Sequence, residues 1–186
     1  MNQQETWDAY NEKEEKYGFD LQKGQIFSHG VFCLITQVLI QHTHGDYLLM
    51  QRDYSKKVAP KKYEASGGSV LKGETSYQAA IREAKEETGL DIYDLQLVNK
   101  LIDKNPAVGI KPAIYHYYVA KTNDDKTSVV LQDGETMGYK WLTKKEFLDF
   151  FQSDNCILFQ LNGFEPYLKS IRDNKVCIKI GINKDK

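Results

Sequence analysis

One helix constrains this chain more than any other feature, because its sequence marks both ends and loads one side with acid. Thr75, with Gln78 three residues on, forms the capping box that opens a helix, and Gly89 is the residue type favoured just past a helix end. At roughly 100° per residue, Glu83, Glu86 and Glu87 fall within about one third of the circumference. Tyr77, Ile81, Ala84 and Thr88 group on a different side and are expected to face the core. Ala79 and Ala80 lie near the acidic stripe and leave space above it. Like charges at i,i+3 and i,i+4 cost about 0.2–0.5 kcal/mol per pair. Glu86 and Glu87 also sit in the last turn, where the helix dipole disfavours negative charge. Two readings account for such a stripe. It is a solvated helix end balanced by Arg82 and Lys85, or it holds a divalent cation, which takes oxygen ligands and is commonly shared with substrate phosphates.

The wider spacing separates the two readings. Gly68, Glu74, Arg82, Glu83, Glu86, Glu87 and Gly89 occupy all seven fixed positions of the pattern G-x5-E-x7-R-E-U-x-E-E-x-G-U, where U is a bulky aliphatic residue. Ala84, at the first U, is the one departure. With residue frequencies of roughly 5–7% each, a chance match is below about one in a million. The stretch Gly68 to Leu90 therefore resembles the Nudix box, and the likeness to that family extends over roughly Val31 to Phe151. The resemblance implies an α+β fold, the Nudix-type α/β/α sandwich with a mixed β-sheet. It implies Mg²⁺, or Mn²⁺, held by Glu83, Glu86 and Glu87 with the carbonyl of Gly67. Arg82 would orient the glutamates and Glu74 would brace the loop. The implied reaction is attack of water on phosphorus in a nucleoside diphosphate-type compound, a diphosphate hydrolase acting on acid anhydrides. Glu83 is the favoured base. Glu135, from a loop outside the box, is the alternative, unless it is a solvated loop acid.

Substrate phosphates call for cations. Arg52 ends a strand close to the box, and Lys56, Lys57 and Lys62 lie on the loop leading into it; Arg52, Lys57 and Lys62 are the candidate phosphate-binding residues. Tyr63 and Tyr115 read first as packing residues and second as stacking platforms. His42 and His44, flanking a turn, are expected to be solvent-exposed. Cys33, inside an apolar strand, reads as a small buried hydrophobe.

Around the box, Glu5 to Asn11 and Tyr17 to Leu21 read as short strands, Val31 to Gln41 and Asp46 to Arg52 as a hairpin, and Leu95 to Ile102, Ala113 to Lys121 and Gly138 to Leu142 as further strands. Thr143 with Glu146 opens a second helix through Phe151, and a third covers Pro166 to Asp173. Val176 to Ile182 alternates as a strand does. Strands mixed with a few helices independently indicate an α+β domain. The expected division is an N-terminal extension, 1–30, forming a strand pair, and a Nudix domain over 31–186.

The chain has 25 basic and 26 acidic residues, a net charge of −1, which argues against a nucleic-acid polymer as partner and leaves a small-molecule diphosphate open. The 3 cysteines form no CxxC pair, the first 20 residues do not resemble a signal peptide, and no apolar stretch is long enough to span a membrane. The expectation is a cytoplasmic monomer or homodimer. Two alternatives remain. Trp7 to Glu12, Gln51-Arg52 and the Lys-rich loop ending at Pro60 are similar to isopentenyl-diphosphate isomerase-like Nudix proteins, although Gly67 stands where true isomerases carry a cysteine. A non-catalytic nucleotide-binding Nudix module is the other; it would fit the loss of a box glutamate, and none is lost.

Overall fold

The computed structural model describes residues 5–107, 110–151, 153–157 and 161–173. Among these, strands β1 (Thr6–Tyr10) and β2 (Lys16–Gln22) pair antiparallel as an N-terminal hairpin. The larger sheet is built from β3 (Cys33–His42), β4 (Tyr47–Arg52), β5 (Tyr63–Glu64), β6 (Ser66–Ser69), β7 (Tyr93–Asp103), β8 (Ala113–Thr122) and β9 (Thr136–Leu142). Helix α1 spans Ser76–Thr88, α2 spans Lys144–Phe150 and α3 spans Glu165–Arg172. The alternating stretch at Val176 to Ile182 lies outside the described residues.

β3 is the centre of the sheet. β8 runs parallel to it along its whole length, from Cys33 opposite Ala113 to His42 opposite Thr122. Its other edge is divided: β6 pairs with Ile35 to Val38, and β4 pairs only at Ile40 and Gln41. The expected β3–β4 hairpin is therefore brief, because the approach to the box claims the remaining hydrogen-bonding edge. β9 and β5 continue from β4, and β7 closes the far side against β8, giving a mixed sheet.

Both faces are covered. Along β8, Tyr115, Tyr117 and Val119 join Leu39, Leu49, Phe147, Phe164 and Leu168 in one core, on the side of α2 and α3. Their alternate neighbours Tyr118 and Ala120 join Val38, Ile40, Ala80, Ala84 and Leu97 in a second core under α1. A strand buried on both faces carries apolar residues at nearly every position rather than every second one, as β8 does. The result is the α/β/α sandwich.

Both ends of α1 form as their residues dictate. The Thr75 side chain accepts from the Gln78 N–H while the Gln78 side chain accepts from the Thr75 N–H, a capping box of the kind that stabilises a helix by about 1 kcal/mol. Gly89 ends the helix at φ 72°, a left-handed conformation that favours glycine. The buried face differs from the expected one. Ala79, Ala80, Ala84 and Thr88 are buried, whereas Tyr77 and Ile81 are 45% and 41% exposed. Alanines let α1 lie close to β6 and β3, and that close approach carries Glu83 and Glu87 inward while the bulky side chains point out.

The hairpin is fastened over the loop that precedes α1. Lys72 N–H donates to the Thr6 carbonyl at 2.9 Å, Asp8 accepts from the Gly73 N–H at 2.9 Å, and Lys72 pairs with Asp20 at 2.6 Å. At its turn, Glu14 lies 2.6 Å from His116 and 2.7 Å from Lys100. Among the described residues, no helix is long and apolar enough to cross a membrane.

Candidate active site

A cleft of about 360 Å³ opens where β6, the C-terminal half of α1 and the hairpin meet, and its lining includes Gly67, Gly68, Arg82, Glu83, Glu86, Glu87 and Glu135. The helix periodicity brings the glutamates to one side, and β6 brings the two glycines against them.

Arg82 organises the acids. Its Nε and Nη2 reach the two oxygens of Glu74 at 2.9 and 3.0 Å, a bidentate pair, while Nη1 donates to Glu83 at 2.8 Å and Glu86 at 3.1 Å. Nη2 also donates to the Ser69 carbonyl at 3.1 Å. Glu74 in turn accepts from the Leu71 N–H at 3.0 Å, so it braces the loop as well as the arginine. Burial works against the Arg82 charge, but the hydrogen bonds and charges of Glu74 and Glu83 more than offset it and hold the guanidinium protonated.

The acids themselves are strained electrostatically. Burial pushes the Glu83 carboxyl above the usual range despite its bond to Arg82. Glu87 is raised well above it, first by burial and then by the charges of Glu64 and Glu83, with Glu135 adding to them; the Gly67 N–H, donating at 3.0 Å, is the opposing influence. A carboxylate surrounded by carboxylates, with one backbone donor to satisfy it, is an environment that attracts a cation. The donor set is all oxygen, which suits Mg²⁺ or Mn²⁺. Among the described residues, no three His, Cys, Asp or Glu side chains converge as a metal centre, because Arg82 draws Glu83 and Glu86 toward its guanidinium. The chemistry of the residues therefore fits a hard divalent cation.

Two close approaches shape the floor. A Cβ built on Gly68 would lie 2.4 Å from Glu83 Oε1, so the carboxylate rests directly on the glycine. A Cβ on Gly67 would lie 2.2 Å from the Thr36 carbonyl oxygen. No side chain fits there, which removes the cysteine position of the isomerase-like pattern. Cys33 is fully buried, and burial raises its thiol to about 11, so it is a packed neutral group.

Glu135 comes into the cleft from the loop before β9 and pairs with Lys56. The candidate phosphate-binding residues are not brought there. Arg52 pairs with Glu64 at 2.6 Å and donates from Nε to the Val58 carbonyl, Lys62 reaches the Asp154 carbonyl, and Lys57 is exposed on its loop. The cleft's cations are instead Lys23, Lys56, Arg82 and Lys111. Of these, Lys23 and Lys111, together with Glu5 and Trp7, are cleft residues to which the sequence assigns no individual role. Trp7 carries a sequence signal only as part of the isomerase-like stretch Trp7 to Glu12, and strand periodicity alone does not say what such a strand packs against. Tyr63 and Tyr115 are packing residues, set against Phe150 and Tyr117. His42, expected in solvent, is buried: it packs edge-on to Trp141, with Nε2 3.1 Å from the Asp124 carbonyl oxygen, and only His44 is exposed. A second cleft, about 580 Å³ and lined by His42, His44 and Asp124 to Lys126, lies at the C-terminal end of β3. Its acids are occupied locally, Asp124 by the Asp91 N–H and Asp125 by Thr127.

Comparison with known proteins bears on the same region. The NUDIX domain family matches residues 33–160. A Listeria monocytogenes serovar 1/2a protein named as an uncharacterized Nudix hydrolase is 32% identical over 143 residues, spanning 76% of this chain and 82% of that one. A Deinococcus radiodurans protein of known structure shares the fold with a TM-score of 0.62 at 19% identity, over 82% of this chain and 91% of its own. The NUDIX domain of Shewanella oneidensis NrtR, solved with ADP ribose, does so with a TM-score of 0.58 at 16% identity, over 77% and 88%.

Proposed function

The chain belongs to the Nudix hydrolase family, acting on pyrophosphate-containing substrates, and from that premise we propose that it hydrolyses a nucleoside diphosphate-type compound with a divalent cation at Glu83, Glu86, Glu87 and the Gly67 carbonyl. The observation that carries this reading is the convergence of Glu83, Glu86 and Glu87 with Gly67 and Gly68 in one cleft, Glu87 accepting from the Gly67 N–H at 3.0 Å. When bound, Mg²⁺ or Mn²⁺ would neutralise the diphosphate charge and lower the pKa of the attacking water.

The chain's own residues divide the remaining work. Arg82 and Glu74 hold α1 and the preceding loop in one arrangement, so that the glutamates keep their positions relative to Gly67 and Gly68. Arg82 also neutralises part of the acid cluster when substrate is absent. Glu83, resting on Gly68 at the floor of the cleft, is the favoured acceptor of the proton of the attacking water. Glu135, across the cleft and paired to Lys56, is the second candidate for that proton. Arg52 acts indirectly, by holding Glu64 beside Glu87.

The polar character of the cleft supports recognition of a diphosphate rather than a prenyl chain: among the described residues, Trp7 and Leu71 are its only large apolar lining residues. The ADP ribose bound by the NrtR domain supports a nucleoside diphosphate as ligand class. A cytoplasmic setting accords with the free, buried Cys33 and Cys156.

The test is a panel of nucleoside triphosphates, nucleotide sugars, dinucleotides, coenzyme A and prenyl diphosphates with Mg²⁺, following release of phosphate or monophosphate beside Glu86→Gln and Glu87→Gln. At least one diphosphate should turn over, with near-total loss in both variants. Undiminished turnover in both variants refutes the site; double-bond migration of a prenyl diphosphate as the only activity would establish an isomerase instead.

A further inference from the structure

We propose that Lys111 is a substrate-binding residue of this cleft, taking a phosphate oxygen of the diphosphate from the wall that the N-terminal hairpin builds. The proposal rests on the hydrolase reading above and adds a residue outside the box to its binding machinery.

Charge bookkeeping singles Lys111 out. Of the four cationic side chains lining the cleft, Arg82 is committed to Glu74, Glu83 and Glu86, Lys56 to Glu135, and Lys23 to Glu5 at 3.5 Å. Among the described residues, Lys111 has no carboxylate partner. Its ammonium instead lies 3.5 Å from the centroid of the Trp7 ring, a cation–π contact. Trp7 is 1% exposed, so the indole is a fixed platform rather than a mobile surface ring.

Topology fixes the position. Ala113 pairs with Cys33 at the start of the parallel β3–β8 ladder, which places Lys111 two residues before the strand, beside the entrance of β3. Gly67 pairs with Gln37 farther along the same β3. The glutamate-bearing floor and Lys111 are thus carried by neighbours of one central strand, and the hairpin closes the space between them. Burial makes an ammonium with no direct ion pair costly, and it lowers the lysine's pKa from its ordinary value by more than the charge of Glu5 raises it. A phosphate oxygen arriving in the cleft would supply the missing counter-charge through a charge-assisted hydrogen bond, with the ring contact keeping the side chain in place.

The competing explanation is that Lys111 merely covers Trp7. Lys111→Met separates the two, since it keeps an unbranched stem on the indole and removes the charge; Lys111→Arg restores the charge. The probe is adenosine 5′-(α,β-methylene)diphosphate, which resists hydrolysis, titrated calorimetrically with Mg²⁺ into the full chain at low and moderate salt. Lys111→Met should bind at least about tenfold more weakly, with a shallower salt dependence, and Lys111→Arg should recover most of the affinity. In turnover, KM should rise more than kcat falls. Independently of any variant, the probe should shield Lys111 of the native chain from acetylation, read by mass spectrometry. Affinity of Lys111→Met within about twofold of native, or unshielded Lys111 in the probe-bound native chain, overturns the proposal while leaving the hydrolase reading intact. A native chain that neither binds the probe nor turns over any diphosphate overturns both.

Discussion

Gly68→Ala offers the sharpest test of how the floor of the cleft sets the catalytic geometry. Gly68 lies in β6 opposite Thr36, outside the left-handed backbone region, so alanine is acceptable to the main chain. The added Cβ would meet Glu83 Oε1 at 2.4 Å, Cδ at 2.6 Å and Oε2 at 2.7 Å, whereas ordinary contact begins near 3.4 Å. The carboxylate must retreat by about 1 Å, a misplacement that can cost on the order of 100-fold in rate. It is the free end of a flexible side chain, so the fold should absorb the change. The retreat also disturbs the Glu83–Arg82 bond, now 2.8 Å, and with it the brace to Glu74. The assay is steady-state turnover of the panel substrate with Mg²⁺, run beside thermal unfolding of the metal-free chain. Turnover should fall by about two orders of magnitude while the unfolding temperature stays near native. Gly67→Ala gives the contrast, because its Cβ meets the Thr36 carbonyl at 2.2 Å and backbone cannot step aside. That variant should lose about 1–3 kcal/mol of stability. A Gly68→Ala enzyme with turnover within about threefold of native would refute the reasoning, since it would mean that the position of Glu83 is not set by this contact.

Further outcomes are expected elsewhere. Glu87 has its folded pKa raised by burial and by Glu64 and Glu83, so ionising it costs native stability progressively as pH rises above the reference value of 4.5; Glu87→Gln should therefore raise the unfolding temperature of the metal-free chain near pH 7 while abolishing turnover, and an equal or lower temperature would contradict the like-charge account. For Glu14 the sign is opposite: burial would raise its carboxyl, but His116 and Lys100 outweigh it and hold it at about 2, so its stabilisation is present above 4.5 and lost as pH falls toward 2. Because Glu14 is partly exposed, Glu14→Gln should cost only about 1–2 kcal/mol at neutral pH, measured by urea unfolding, with the difference from native vanishing near the folded pKa. Gly163→Ala would place a methyl 1.9 Å from Tyr117 Cζ in the core beneath α3, and should lower stability by about 2–3 kcal/mol without altering the glutamates.

What was legible in the sequence was local. Capping boxes at Thr75 and Thr143 both form, because a cap depends on residues three apart and on little else. The spacing of Glu83, Glu86 and Glu87 survives folding for the same reason. Which face of α1 turns inward was not legible. A helical wheel groups residues without saying what they meet, and here the close approach of β6 selected Ala79, Ala80 and Ala84 over the larger Tyr77 and Ile81. The contact of Lys111 with Trp7 was not legible because the chain separates them by more than a hundred positions, and the β3–β8 register and the hairpin bring them together. Arg52 illustrates the converse. Its proximity in sequence to the box suggested a phosphate ligand, but the β4–β5 pairing of Met50 with Glu64 sets a carboxylate within its reach first.

The Nudix match begins at residue 33, yet Glu5, Trp7 and Lys23 line the cleft from before that point. A protein trimmed to the matched span would retain Glu83, Glu86 and Glu87 and still forfeit one side of the cleft, along with the ring beneath Lys111 and the clasp that Thr6 and Asp8 place on Lys72 and Gly73. Selectivity among diphosphates could then diverge between relatives that share an identical box, simply because their leading segments differ.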